Sequence, residues 1–374
     1  MIKITYIVIK LIEFFIFFVV GKEISKLKDD KSYWSTALPA IITFALVDGL
    51  RYMRMTDYEG NLWRYGLTDA NFYQDSDILY SFAMYFCKIT GIGFTGFMIL
   101  QAAFLIFAIF VLLKRYKECA IYALPIVLPL ICMNENFTRW FAAISFIFIS
   151  YNNFIDKKYY KAGLYTICAA LTHFAIILII PLFLLHRIMD KKTIPLFIST
   201  PLLIFMTMFS NISSFGFIII IANLILDTGI ADGTSLAGHL RMMEALLAGN
   251  YLQMGFIETS MGVKIINLIK YLPIVIFGAK IATEKKYIAF YNLAIIGIIF
   301  NPLLSQVELL SRYTLILVIF MFIVASMYFK EAFKKQGLEF YCALISLFLF
   351  IYPQISLIFF RGPDNQILFI WDSL

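Results

Sequence analysis

GFTGFMILQAAFLIFAIFVLLKRYK, residues 93–117, reads as a membrane span with its stop signal. The run from Gly93 to Leu113 carries no charge, and its 21 residues match the roughly 20 apolar residues that cross a bilayer as a helix. Lys114, Arg115 and Lys117 close it on one side. Further apolar runs lie at 4–20, 34–50, 119–133, 139–154, 160–186, 193–209, 213–227, 263–281, 287–304, 312–329 and 337–360. They leave no soluble stretch long enough to fold on its own.

Composition agrees with this reading. Of 374 residues 61% are hydrophobic and 15% charged, against about a quarter charged in soluble domains, and the mean hydropathy is +0.85. The expectation is an all-α polytopic membrane protein of about 11–13 membrane segments, built as a single integral membrane domain over residues 1–374. Lys10 and Glu13 interrupt the first run and no small-residue cleavage site follows, so residues 1–20 are read as an uncleaved helix. Cys87, Cys119, Cys132, Cys168 and Cys342 are scattered and lack CxxC spacing; free, buried thiols are expected, and no metal site.

Lysine clusters give the orientation. Lys22, Lys26, Lys28 and Lys31; Lys114 and Lys117; Lys157, Lys158 and Lys161; Lys191 and Lys192; Lys280, Lys285 and Lys286; and Lys330, Lys334 and Lys335 all fall on one side, which should be cytoplasmic. The N-terminus is then external, with external loops at 51–92 and 228–262 and shorter ones at 134–138 and 305–311. Residues 160–186 have basic clusters at both ends but cannot hold two full spans. A hairpin of two short helices with its apex near Thr172 and His173 satisfies both conditions. Residues 213–227 are expected to be re-entrant or interfacial.

This topology exposes an asymmetry between the two basic residues. Arg51, Arg54, Arg64, Arg139, Arg241, Arg312 and Arg361 are external, and only Arg115 and Arg187 are cytoplasmic. External arginine runs against the usual charge bias, so an anion site is one explanation; local pairs such as Glu135–Arg139 and Glu308–Arg312 are another. The polar island DGLRYMRMTDYEGNLWRYGLTDANFYQDSD, residues 48–77, sets arginines among carboxylates and aromatic rings. Guanidinium forks and flat rings suit a phosphate and a sugar, while an interfacial aromatic belt would use the same residues.

Walker, HExxH, GxSxG and dinucleotide motifs are missing, which leaves nucleotide-driven transport, zinc proteolysis and serine hydrolysis without their minimum parts. The net charge of +7 comes from short interhelical clusters and implies no nucleic-acid partner. Four segments in order, GLRYMRMTDY (49–58), NFTRWFAA (136–143), KKYYKAGLYTICAALTHFAIIL (157–178) and ELLSRY (308–313), resemble the EpsG family of Wzy-type bacterial polysaccharide polymerases. Arg51, Thr56, Asp57 and Tyr58 match the first signature, Arg139 and Ala142 the second, His173 the third, and Arg312 with Tyr313 the fourth. Met55 stands where the family prefers glycine.

The resemblance implies a C-type-glycosyltransferase-like fold that joins undecaprenyl-diphosphate-linked oligosaccharide repeat units at the outer face of the bacterial cytoplasmic membrane, without metal or cofactor and with inversion. It further implies that the site faces the periplasm or cell exterior. Besides the lipid bilayer, a chain-length regulator and a flippase are the partners such an enzyme would have, and its product would be O-antigen, capsule or exopolysaccharide. Arg51, Arg54, Tyr58, Arg139, Arg241, Arg312 and Tyr313 are candidate diphosphate or sugar ligands. His173 is a candidate base with His239 as its rival, and Asp57 and Glu308 are carboxylate candidates. A lipid-linked oligosaccharide carrier, and a membrane acyltransferase acting on sugars, are the alternatives. A carrier should hold ionisable groups within its spans, for which Glu13, Asp48 and Lys270 qualify.

Overall fold

In hydrocarbon a backbone amide finds no water, so an apolar run must close its own hydrogen bonds as helix. The computed structural model, which describes residues 2–52, 56–210, 260–282, 284–305, 308–360 and 368–373, bears this out along the chain. It is an all-α polytopic membrane protein. Six helical segments among the described residues are long and apolar enough to cross a membrane.

The first helices are α1 (Ile2–Lys26), α2 (Tyr33–Gly49), α3 (Thr56–Leu67), α4 (Ile78–Ile89), α5 (Gly93–Leu113), α6 (Ala120–Ile131), α7 (Thr138–Ile155) and α8 (Tyr159–Thr172). Then come α9 (Pro181–Met189), α10 (Leu196–Phe209), α11 (Met261–Ile281), α12 (Lys285–Leu304), α13 (Glu308–Ile319), α14 (Met321–Ala332) and α15 (Leu338–Phe360). Two short strands, β1 (Arg51–Tyr52) and β2 (Leu368–Phe369), pair antiparallel with Arg51 opposite Phe369.

The run 160–186 is broken at the residues expected for its apex. Helix α8 stops at Thr172, His173 follows in extended backbone (φ −157°, ψ 107°), and a 3-10 turn over Phe174–Ile179 leads into α9. Pro181 lies in the first turn of α9, where a missing N–H costs nothing. The predicted external stretch 51–92 differs from an open loop because it contains α3 and α4. The twelve residues of α4 extend about 18 Å, too short to cross a bilayer core of about 30 Å. The run at 312–329 is divided at Phe320 between α13 and α14. The predicted segment at 213–227 and nearly all of the loop at 228–262 lie outside the described residues.

The chain forms two units, Met1–Ile176 with Phe350–Leu374, and Ile177–Leu349. In the first, α1 packs on α2 and α6, α2 on α5, α5 on α7, and α7 on α8. Gly49 ends α2 against α5, where an added Cβ would come within 2.5 Å of the Ile99 Cα. Gly49→Ala should therefore lower stability by about 1–3 kcal/mol, whereas Gly60→Ala, with nothing within 4 Å of its Cβ position, should not. Thermal unfolding of both variants in the same detergent checks this.

In the second unit α10 packs on α11 and α12, and α12 on α13. Buried Asn292 of α12 donates to the carbonyls of Met189 (2.8 Å) and Lys192 (2.7 Å) and accepts from the Ile194 amide (2.8 Å), which holds the α9–α10 turn. None of the five cysteines forms a disulfide; Cys87 and Cys119 are buried, and the other three are partly so.

Candidate active site

The site in the first unit is organised by Asp77, the residue immediately before α4. Its side chain is 1% exposed, and three basic groups from separate elements turn toward it. Arg139 Nη1, from the first turn of α7, donates to Oδ2 at 2.8 Å. Arg64 Nη1 of α3 lies 3.6 Å from the same oxygen, and His173 Nδ1 lies 3.4 Å from Oδ1. The imidazole contact is too long and too poorly aligned for a full hydrogen bond, and neither Asp77 Oδ1 nor His173 Nδ1 has another hydrogen-bond partner among the described residues. Trp140 meets the His173 ring edge-on, with centroids 5.5 Å apart at 87°.

Burial alone would raise the Asp77 carboxyl, but the facing His173 imidazole and the Arg139 and Arg64 charges outweigh it and hold the group below its ordinary 3.8. With a depressed folded value, its stabilisation is present above pH 3.8 and lost as pH falls through the folded value. Melting temperature should therefore drop faster with acid in the wild type than in Asp77→Asn. Equal slopes below pH 4 would remove this contribution.

Neighbouring polar groups fix where Arg139 stands. Thr138 Oγ1 accepts from Asn61 Nδ2 of α3 at 2.8 Å and from the Tyr80 hydroxyl of α4 at 3.4 Å, and Gln101 of α5 donates to the Thr138 carbonyl. Three helices thus converge on the first residue of α7. Arg64 donates to Asp75 and to Ser81 Oγ (3.1 Å), Ser81 donates to Asp75 at 2.7 Å, and the guanidinium lies 5.8 Å above the Tyr80 ring. Arg139 differs from Arg64 because its side chain is 39% exposed and Asp77 is its sole ion-pair partner among the described residues. Part of its fork is held while the remaining donors face outward.

An apolar groove of about 310 Å³ adjoins this cluster, lined by Tyr80, Phe82, Phe86, Phe97, Phe104 and Thr172 among others. Thr172 precedes His173, and Tyr80 shares its hydroxyl with Thr138 beside Arg139. A part-exposed guanidinium, a buried carboxylate–imidazole pair and an apolar groove therefore lie side by side in the first unit.

The other sequence-predicted residues have different surroundings. Arg51 is 1% exposed and points inward to Asp48 Oδ1 at 2.8 Å, while Asn134 Nδ2 donates to Asp48 Oδ2 at 2.6 Å. It is a buried brace in this structure, unlike an open anion fork. Tyr58 is buried against Phe94, and Asp57 is half-buried with its amide 3.4 Å from Asn136 Oδ1. The Glu135–Arg139 pair offered as an alternative is replaced by Arg139–Asp77, with Glu135 3.9 Å from Lys10. Glu308, Arg312 and Tyr313 belong to α13 of the second unit. Arg54, His239 and Arg241 lie outside the described residues.

Arg139 and His173, matched to separate signatures, are thus brought to one carboxylate. A family model described as the EpsG family matches residues 34–361, which include every residue of the Asp77 cluster. The chain belongs to the EpsG family. That family comprises Wzy-type polysaccharide polymerase-like proteins. No curated protein and no solved structure matches the chain.

Asp77 itself escaped the sequence reading, which placed it only among the acids of the polar island. Its signal was its position before the amphipathic run ILYSFAMYFCKI, an acidic residue at a helix start. Asn61, Tyr80 and Gln101 carried no signal of their own.

Proposed function

We propose that this EpsG-family protein is a polysaccharide polymerase joining undecaprenyl-diphosphate-linked repeat units at the external face of the bacterial cytoplasmic membrane. The observation that carries the reading is the convergence of Arg139, Arg64 and His173 on buried Asp77, beside an apolar groove of about 310 Å³. In the reaction an acceptor sugar hydroxyl forms a bond to the anomeric carbon of the donor as the bond to the lipid diphosphate breaks, with inversion. The hydroxyl loses a proton to a base, and the diphosphate leaves with the electron pair.

Each part has a residue suited to it. The outward donors of Arg139 neutralise the diphosphate, a role for which a planar fork is better shaped than an ammonium. Asp77 faces Nδ1 of His173 and orients the ring, which leaves Nε2 to take the acceptor proton. The groove takes the first isoprene units of the lipid. Arg312 and Tyr313, with Glu308 to orient Arg312, are further ligand candidates on their family signature alone. Arg51, Asp57 and Tyr58 support the α3 side of the site, and Arg54, Arg241 and His239 are its remaining candidates.

Purified protein supplied with lipid-linked repeat units, and with no nucleotide or acyl donor, should produce a ladder of longer chains. Its failure in folded protein would sink the reading. For the orientation, cysteines placed at Lys158 and Gly60 should react with an impermeant reagent in opposite senses, Gly60 from outside only. The reverse pattern would invert the map.

A carrier of lipid-linked oligosaccharide is the second reading, and buried Lys10, Glu13 and Asp48 favour it, since ionisable groups inside spans mark transport routes. Flipping of labelled lipid in proteoliposomes without chain growth would select it.

A further inference from the structure

Lys88 lies outside every lysine cluster of the sequence, in the last turn of α4. Its ammonium turns back onto α3 and donates to the carbonyls of Gly66 (2.8 Å), Thr68 (2.9 Å) and Tyr65 (3.5 Å), in the last turn of that helix and the residue after it. Thr68 in turn donates twice to the Arg64 carbonyl, from its amide at 3.0 Å and its hydroxyl at 2.8 Å. A chain of hydrogen bonds therefore runs from Lys88 to the backbone of Arg64, whose guanidinium lies 3.6 Å from Asp77.

The direction of the two helices explains why a cation is useful there. Asn61 meets Tyr80, Arg64 meets Ser81 and Thr68 meets Met84, so α3 and α4 run side by side in the same direction. Antiparallel neighbours set opposite ends together. Parallel ones set two C-terminal ends together, each with a partial negative charge and carbonyls that no helical N–H reaches. One ammonium serves both ends here, and its three donors match three separate carbonyls. Asp77 immediately precedes α4 and Arg64 belongs to α3, so the register of the two helices also sets the distance between these side chains.

We propose that Lys88 is a positioning residue for the candidate active site, which holds α3 in register with α4 and so keeps Arg64 on Asp77. Its link to elongation rests on the polymerase reading; its hold on Arg64 does not. Lys88 is exposed and its acceptors are neutral, so it adds little to overall stability. Its effect is on aim. At 3.6 Å Arg64 reaches Asp77 by charge and not by a hydrogen bond, so a small shift of α3 is enough to leave the guanidinium with Asp75 and Ser81 alone.

Two readouts on the full chain test this, and one of them needs no activity. Phenylglyoxal labelling followed by peptide mass spectrometry should find Arg64 several-fold more reactive in Lys88→Met than in wild type. Lys88→Arg should label as wild type does, because a guanidinium can serve the same carbonyls, and both melting temperatures should stay within a few degrees of wild type. Elongation should fall roughly tenfold or more in Lys88→Met, the scale of a reacting group displaced from its aim, and return in Lys88→Arg. Lys88→Met should add nothing to the defect of Arg64→Gln, since Lys88 acts through Arg64. Unchanged Arg64 labelling in folded Lys88→Met overturns the proposal, and so do defects of Lys88→Met and Arg64→Gln that multiply, or an Arg64→Gln enzyme at wild-type rate. Failure of both Lys88→Met and Lys88→Gln to fold would make the residue structural and overturn it as well. A wild-type protein that makes no ladder of longer chains removes the polymerase reading and leaves the labelling to decide on Lys88.

Discussion

Replacing Arg139 by lysine should slow chain elongation by roughly a hundredfold or more while the protein accumulates at its normal level. The fork is divided: Nη1 is held by Asp77 at 2.8 Å, and the rest of a 39% exposed side chain faces outward. Lysine keeps the charge but has a single, strongly hydrated head, so it cannot remain on Asp77 and grip a diphosphate in the plane of a fork. Were the Asp77–Arg139 pair merely an interfacial contact of about 0–1 kcal/mol, lysine would serve nearly as well. Alanine should be as slow as lysine or slower, because both lose the same aimed donors. Elongation rates of both variants at matched protein level decide the matter. A lysine enzyme near wild-type speed would remove the leaving-group role from Arg139.

Much of the fold was legible because a bilayer imposes a length and a polarity on every span. The run from Gly93 to Leu113 is helix α5 with the same ends, and the parity of the lysine clusters located the break at Thr172 and His173. Helices α3 and α4 escaped, since their polar faces and short lengths look like an interfacial loop when only the strength of hydrophobicity is read. The candidate site was legible in its arginine and histidine but not in its centre. Asp77 meets Arg139 across 62 residues of chain, and no local pattern records such a meeting. Arg51 shows the converse. It fits an anion fork by sequence, yet Asp48 three residues earlier and Asn134, itself 86 residues from Asp48, draw that pair into a buried brace.

Asp77→Asn should reduce elongation by at least a hundredfold, and should do so through two of the residues it touches. Asparagine has nearly the same shape but is neutral, so Arg139 loses its charged anchor and becomes free to turn away from the reacting phosphate. Its amide can also present a donor to His173 Nδ1, 3.4 Å away in the wild type, which would select the tautomer that leaves Nε2 protonated and unable to accept. Stability should fall by about 1.5–3 kcal/mol, the scale of hydrogen bonds to charged groups. The loss stays below that of a fully buried ion pair because Arg139 keeps access to water and Arg64 keeps Asp75 and Ser81. Rates measured for Asp77→Asn, Arg139→Ala and the double variant separate shared from independent roles. If Asp77 acts by aiming Arg139, the double variant should be little slower than the worse single one; if the two defects multiply in full, the carboxylate works through His173 alone. An Asp77→Asn enzyme that elongates at wild-type rate would dissolve the site described around it, because Asp77 is the group on which Arg139, Arg64 and His173 meet.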